Sequence, residues 1–243
     1  MGFIRAFIKK RNKKKIAQQE QRAQLYAKQV FLSNNDVSYA AEDEMHFVFD
    51  VKGKNNKIHI GKLNTKCIGK IFIFVAGDNN VIEIADGFYT SNRLEIIMGQ
   101  IHQHFGKITG AVLKIGCNLG VESCSITTYN SHARIEIGDN CMFSSDVNIY
   151  HTDAHPILDA QTHQIINKVK ELKIGDHVWL GAHTTILKNS LISSDSIVGW
   201  GSVLSGKHTE TGCIFAGNPA KRVRTGITWD CDGSKGYVLN EEA

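Results

Sequence analysis

The chain has 243 residues, of which 42% are hydrophobic, so it can bury the core of one large domain or two small ones. Positive charge is concentrated in residues 1–30, which hold nine Lys or Arg and one Glu. Because the whole chain carries only +4, residues 31–243 carry −4. This imbalance excludes a general nucleic-acid role for the folded part, and no stretch is long and apolar enough to predict a membrane span.

The first 30 residues are predicted to form a basic amphipathic helix. Phe3, Ile4, Phe7 and Ile8 fall on one side at helical spacing, and a run of Lys and Arg follows. Such a helix can bind an anionic membrane surface through residues 1–15, or it can pack on the body or on a sister subunit. Residues 31–55 are then a linker or an N-terminal cap.

The six cysteines favour a reduced, cytoplasmic protein. They lie at positions 67, 117, 124, 141, 213 and 231, without a Cys-x-x-Cys pair or the spacing of a zinc site. We therefore expect mostly buried free thiols.

Short repeats begin at about residue 56. The form apolar-x-Ile-Gly occurs four times, and a variant ends in alanine. The repeats are Ile58–Gly61, Leu113–Gly116, Ile135–Gly138 and Leu172–Gly175, with the variant at Ile82–Ala85. Recurrence of this kind is typical of solenoids.

The C-terminal half has a period of six. Large aliphatic residues recur at this spacing, and a smaller residue follows each of them after four positions, until His208 breaks the trend. The aliphatic series is Ile174, Leu180, Ile186, Ile192, Val198 and Leu204; the second is Val178, Thr184, Ser190, Ser196, Ser202 and His208. This period predicts an all-β solenoid whose flat sides each take about six residues, and we assign it residues 56–224.

The period is interrupted once. Ile149 and Ile174 lie 25 residues apart, which is not a multiple of six. Residues 150–171 are therefore predicted to leave the coil as an extended loop, and loops on rigid scaffolds commonly carry functional sites. Residues 225–243 form a C-terminal tail of unassigned role.

The late repeats resemble a known family. The segment IGDHVWLGAHTTILKNSLISSDSIVGWGSV and the string AGNPAKRVR are similar to the hexapeptide-repeat acyltransferases, strongly over residues 135–224 and loosely over 56–134. Among these, the galactoside, maltose and nodulation-factor O-acetyltransferases, and those acting on capsular and sialic acid polymers, are most alike. The resemblance implies a left-handed parallel β-helix, a homotrimer, acetyl-CoA as co-substrate and a saccharide acceptor.

The loop carries the candidate catalytic motif, His-Thr-Asp-Ala-His-Pro at 151–156. An alcohol attacks a thioester only with help from a base that titrates near neutral pH, which suits histidine. The resemblance assigns this role to His155, which precedes proline, and gives Trp179, 24 residues later, a part in shaping the site. Asp153 either orients the imidazole or starts the turn.

Metal binding is a weaker alternative. His151, His177 and His183 could suggest the three-histidine zinc site of some β-helix carbonic anhydrases. The context of His155 matches acyl transfer instead, so we expect no metal.

The resemblance also implies where acetyl-CoA binds. The pantetheine arm would lie in a groove between subunits, along Ala182, Trp200, Gly201 and Ser202. The phosphates need cations, for which the end of the coil stack offers Lys207, Lys221, Arg222 and Arg224. Because no Gly-x-Ser-x-Gly nucleophile motif is present, direct transfer is favoured over an acyl-enzyme.

The sequence therefore predicts an acetyl-CoA-dependent O-acetyltransferase. Its acceptor would be a sugar hydroxyl of a cell-surface polysaccharide or sialic acid, and it would act in the cytoplasm, at the inner face of the membrane if the N-terminal helix binds there. Two alternatives remain: an N-acetyltransferase acting on an amino sugar, and a β-helix scaffold without catalysis. An intact catalytic motif with its tryptophan argues against the scaffold.

Overall fold

The computed structural model describes residues 34–99 and 106–231. The predicted N-terminal helix, including residues 1–15 for which we expected either membrane binding or packing, and the last twelve residues of the tail lie outside this part of the chain. Within it, no helix is long and apolar enough to cross a membrane.

Strands are the main regular structure of the described chain, together with a 3-10 helix at Ala41–His46. The strands are β1 (Asp36–Ser38), β2 (Phe47–Lys52), β3 (Lys57–Ile60), β4 (Lys70–Asp78), β5 (Val81–Ile84), β6 (Tyr89–Met98), β7 (Ile108–Thr109), β8 (Val112–Ile115), β9 (Gly120–Thr128), β10 (Arg134–Ile137), β11 (Met142–Phe143), β12 (Val147–Tyr150), β13 (Leu172–Ile174), β14 (Trp179–Leu180), β15 (Thr185–Leu187), β16 (Leu191–Ile192), β17 (Ile197–Val198), β18 (Val203–Leu204), β19 (Lys207–His208), β20 (Cys213–Gly217) and β21 (Ala220–Thr225).

The strands stack into a three-sided parallel β-helix. Side 1 has the order β1-β3-β5-β8-β10-β13-β16-β19. Side 2 contains β11-β14-β17-β20, and side 3 contains β12-β15-β18. The long strands β6 and β9 continue around the corner between sides 2 and 3, because the first part of β9 pairs with β11 and its second part with β12. β21 folds back antiparallel on β20 at the end of the stack.

The predicted period of six is confirmed. The aliphatic residues from Ile174 to Leu204 are at most 1% exposed and fall in turn on sides 1, 2 and 3. The smaller residues that follow them are also buried, down to the serines at 190, 196 and 202. His208, where the small-residue trend breaks, is half-buried and packs edge-on against Phe215 with ring centroids 4.6 Å apart.

Close approach between coils explains the repeated glycines. At the corner between sides 1 and 2, the backbone N–H that follows the glycine donates to a side chain of the next coil. In three repeats this side chain is an aspartate. A Cβ on Gly61, Gly116 or Gly138 would lie only 2.2–2.3 Å from the Oδ1 of that aspartate. The alanine variant, Ala85, stands where the next coil carries Cys117 instead.

The coil begins earlier than the solenoid assignment at residue 56. β1 and β2 pair in register with β3 and β4, so residues 36–52 form a first coil within the segment assigned to a linker or cap. Residues 151–171 leave the stack between β12 on side 3 and β13 on side 1. Their one isolated bridge joins Leu158 to Ile165.

All six cysteines are free thiols. Cys67, Cys124, Cys141 and Cys213 are buried, whereas Cys231 is exposed. Burial raises the pKa of Cys124, and it raises the pKa of Cys141 to about 12. These thiols are protonated and inert at neutral pH.

Candidate active site

His151 anchors both ends of the loop. Its imidazole is fully buried, and Nε2 lies 2.6 Å from the carbonyl oxygen of Lys170 at the far end of the loop. Because a carbonyl only accepts, Nε2 carries the hydrogen, and the neutral ring presents Nδ1 as an acceptor without a hydrogen-bond partner among the described residues. Burial lowers the pKa of His151, which keeps it neutral. A buried, neutral anchor is unsuited to exchange protons with substrate.

A tight turn presents His155. Ala154 has a φ of 61°, the left-handed conformation that an alanine adopts only at a cost. The Ala154 N–H donates to Thr152 Oγ1 at 2.9 Å, and the His155 N–H donates to the Asp153 carbonyl at 2.6 Å. The turn leaves the His155 side chain exposed.

Asp153 is held by two neighbours. Lys188 Nζ lies 2.5 Å from Asp153 Oδ2, and Asn167 Nδ2 donates to the same oxygen at 2.7 Å. Partial burial acts to raise the pKa of Asp153, but these two hydrogen bonds and the charge of Lys188 bring it below its ordinary value. The carboxylate is therefore ionised and paired, and it acts on the loop through Lys188 and Asn167.

His155 lines a cavity of about 210 Å³. One wall is the turn itself. The other is the segment of the loop that returns to the coil, together with Asn130 from the preceding coil. The lining comprises Asn130, Thr152, Asp153, Ala154, His155, Pro156, Ile165, Asn167, Lys168 and Val169. Polar groups and an imidazole thus meet at an opening that a hydroxyl could enter.

Trp179 lies elsewhere, on side 2. Its Nε1 donates to Ser144 Oγ at 3.2 Å, and its ring is 6.0 Å from that of Trp229. Trp229, which the sequence reading left within the unassigned tail, is buried and stacks on His177 at 4.2 Å. Its Nε1 donates to the His177 carbonyl at 2.8 Å. The segment after β21 therefore builds an aromatic wall beside Trp179.

The histidines considered for zinc have other partners. His177 Nδ1 lies 2.8 Å from Asp195 Oδ1, and His183 contacts Trp200 with ring centroids 5.2 Å apart. Both occupy left-handed corner positions, with φ of 54° and 57°. Across residues 34–99 and 106–231, no three His, Cys, Asp or Glu side chains come together as a metal-binding group.

The residues assigned to the pantetheine groove divide into two kinds. Trp200 is 74% exposed, and Gly201 beside it is also exposed, at the corner between sides 2 and 3. Ala182 and Ser202 are buried, and Ser202 Oγ accepts the Gly217 N–H at 3.0 Å. The latter two therefore support the surface from within, whereas Trp200 and Gly201 form it.

The assigned cations lie at the end of the stack. Lys221, Arg222 and Arg224 are exposed on β21, and Lys207 is exposed on β19. Arg222 pairs with Glu210, so part of its charge is neutralised. Lys207 and Arg222 share a cavity of about 200 Å³.

Lys188, Asn167 and Trp229 were missed by the sequence analysis. Of the three, only Lys188 has a position that the repeat could have indicated. Ile149 and Ile186 are inward residues of neighbouring coils and pair with each other. His151 and Lys188, two positions further on, are therefore also neighbours at the start of the loop. Asn167 and Trp229 lie outside the period of six, where no pattern could select them.

Known proteins with similar sequences and structures are acetyltransferases. No protein-family profile matches the chain. A polysialic acid O-acetyltransferase of Neisseria meningitidis is 31% identical over 199 residues, which cover 75% of this chain and 89% of that protein. The crystal structure of the polysialic-acid-specific acetyltransferase NeuO matches with a TM-score of 0.59 at 26% identity, covering 79% of this chain and 86% of NeuO. That of the polysialic acid O-acetyltransferase OatWY matches with a TM-score of 0.58 at 26% identity, covering 86% and 93%. The left-handed form of the β-helix predicted from the resemblance is confirmed by these structures.

Proposed function

Because the chain belongs to the hexapeptide-repeat acetyltransferase family, we propose that it transfers an acetyl group from acetyl-CoA to a sugar hydroxyl. The Neisseria meningitidis relative and the structures of NeuO and OatWY, each of which covers at least 75% of the chain, are named for polysialic acid. We therefore propose a sialic acid polymer or a similar cell-surface polysaccharide as the acceptor.

His155 is the general base of the proposed reaction. It takes the proton of the sugar hydroxyl while the hydroxyl oxygen attacks the thioester carbonyl. The tetrahedral intermediate then collapses, the carbon–sulfur bond breaks, and the proton passes from His155 to the departing thiolate of CoA. The observation that carries this assignment is the strained, multiply bonded turn that holds an exposed histidine over a polar cavity.

The co-substrate site is proposed at the corner formed by Trp200 and Gly201. An exposed indole beside an exposed backbone corner offers an apolar surface and accessible main chain to a pantetheine arm. The phosphates of acetyl-CoA would bind exposed cations at the end of the coil stack, which are Lys207, Lys221, Arg222 and Arg224. Ala182 and Ser202 support this surface from below.

A complete site needs two subunits in this proposal. His155 is on the loop between sides 3 and 1, whereas Trp179 is on side 2 and Trp200 is at the next corner. A homotrimer would place the loop of one subunit against the tryptophans of its neighbour. We further propose that it works in the cytoplasm, with residues 1–15 binding the inner face of the membrane.

The first test removes the base. His155→Ala should reduce turnover of radiolabelled acetyl-CoA by about 10²–10⁴-fold, the usual contribution of a positioned acid–base group. The wild-type rate should rise with pH, because only a deprotonated imidazole can accept the hydroxyl proton. His163→Asn is the matched control, because His163 is an exposed loop histidine with a φ of 55° that asparagine tolerates.

The acceptors should include purified sialic acid polymers, neutral oligosaccharides and amino sugars, with circular dichroism to confirm folding. A folded His155→Ala enzyme with most of its activity would remove His155 from the mechanism. Acetylation confined to the amino group of an amino sugar would contradict O-acetyl transfer.

A further inference from the structure

The turn that holds His155 is strained and exposed, so something must keep it in place. Ala154 is left-handed, and such backbone persists only where the surroundings over-determine it. The Thr152 hydroxyl supplies one local bond. The remaining support comes from two residues far from the turn in sequence.

Asn167 binds the turn at three points. Its Nδ2 donates to Asp153 Oδ2 at 2.7 Å and to the His155 carbonyl at 2.9 Å. Its Oδ1 accepts the Ile157 N–H at 2.8 Å. One amide therefore fixes the chain on both sides of Pro156, and an acid, an alcohol or an alkyl group could not make all three contacts.

Lys188 connects this arrangement to the rigid coil stack. It follows β15 directly, and its side chain is 17% exposed. Its Nζ contacts Asp153 Oδ2 at 2.5 Å and donates to the Asn167 carbonyl at 2.9 Å. Lys188 thus holds together the segment of the loop that leaves the coil and the segment that returns to it. It also balances the negative charge of Asp153 close to His155.

We propose that Asn167 and Lys188, together the loop clamp, are positioning residues of the acetyl transfer: they hold His155 where it can take a proton from the acceptor. This inference rests on the proposed function. The clamp has two separable effects. Asn167 fixes geometry, whereas Lys188 also sets the local charge, because an unpaired Asp153 carboxylate would favour the protonated, inactive form of a nearby imidazole.

The test is a set of five variants of the full chain. Asn167→Ala should lower kcat on the order of 10- to 100-fold, the effect of a misplaced reacting group, with the KM for acetyl-CoA unchanged. Lys188→Met should lower kcat and move the rising part of the pH–rate curve to higher pH, and Lys188→Arg should restore the position of that curve. Gln164→Ala and Lys170→Met are matched controls, since both are exposed side chains of the same loop.

Activity against pH is measured with each variant, and circular dichroism checks folding. Wild-type kcat and an unmoved pH–rate curve in folded Asn167→Ala and Lys188→Met would overturn the clamp, while a dead His155→Ala would leave the proposed function standing. An active His155→Ala would overturn the proposed function itself. If Lys188→Met does not fold, Asn167→Asp decides the matter, because it keeps an acceptor for Ile157 but loses both donors; full kcat in that variant overturns the clamp.

Discussion

At the scale of single residues, the two histidines of the loop motif have opposite roles. His151 is buried and fixed to the Lys170 carbonyl, whereas His155 is exposed at the cavity. Both are histidines within one six-residue motif, and burial alone separates the structural anchor from the candidate base. The lowered pKa of His151 makes this difference measurable as a pH-dependent stability.

Stability should fall when His151 is forced to ionise. Burial lowers its pKa below the unfolded value of about 6.5, so the unfolded chain binds more protons than the folded chain between those two values. The free energy of unfolding therefore rises with pH in that window and is lost as the pH falls through it. We expect Tm to decrease below about pH 6.5 in the wild type and to depend less on pH in His151→Gln. Equal pH dependence in both proteins would contradict this account.

At the scale of elements, neighbouring coils approach each other closely at the corner between sides 1 and 2. Gly138 packs so closely on the next coil that an added Cβ would lie 2.2 Å from Asp176 Oδ1 and 2.7 Å from the Asp176 nitrogen. Backbone cannot move aside as a flexible side chain can. The glycine of the apolar-x-Ile-Gly repeat is therefore needed where the next coil carries an aspartate at this corner.

Gly138→Ala should destabilise the protein by about 1–3 kcal/mol, the usual cost of overpacking a core. Ala85→Gly is the matched control at the equivalent corner, where the next coil carries Cys117. It should cost only about 0.5–1 kcal/mol, from backbone entropy. Urea unfolding followed by circular dichroism measures both, and equal losses in the two variants would disprove the packing explanation.

At the scale of the whole molecule, the candidate groups are spread around the solenoid. The loop of His155 leaves between sides 3 and 1, and Trp179 with its partner Trp229 stands on side 2. Within one chain the coil stack keeps these groups apart. In the proposed homotrimer, the loop of one copy and the tryptophans of its neighbour would form one site.

Oligomers that mix two different variants test whether the active site is shared between subunits. His155→Ala and Trp179→Ala should each be poorly active alone, and co-expression should restore part of the activity, because some interfaces then combine an intact His155 with an intact Trp179. Light scattering should give a mass of three chains of 27.0 kDa each. A fully active monomer, or no recovery on mixing, would contradict sites shared between subunits.

The sequence by itself determined the β-helix, the place where its coil is interrupted, and the motif with His155. These follow from short-range order: each side of a coil takes six residues, so its inward positions repeat visibly along the chain, and a loop shows itself as a loss of phase. The acetyltransferase family was likewise evident from contiguous strings of residues. The start of the first coil at Asp36 could not be predicted from the sequence, because β1 and β2 carry no apolar-x-Ile-Gly repeat.

Only the tertiary structure decided which residues support the site. Lys188 meets Asp153 across 35 residues, Asn167 meets it across 14, and Trp229 meets His177 across 52. Such contacts depend on how coils stack and where a loop or tail returns, and neither leaves a period in the sequence. The opposite burial of His151 and His155 has the same origin. The alternating inward positions of β12 continue to His151, and the chain leaves the coil before it reaches His155.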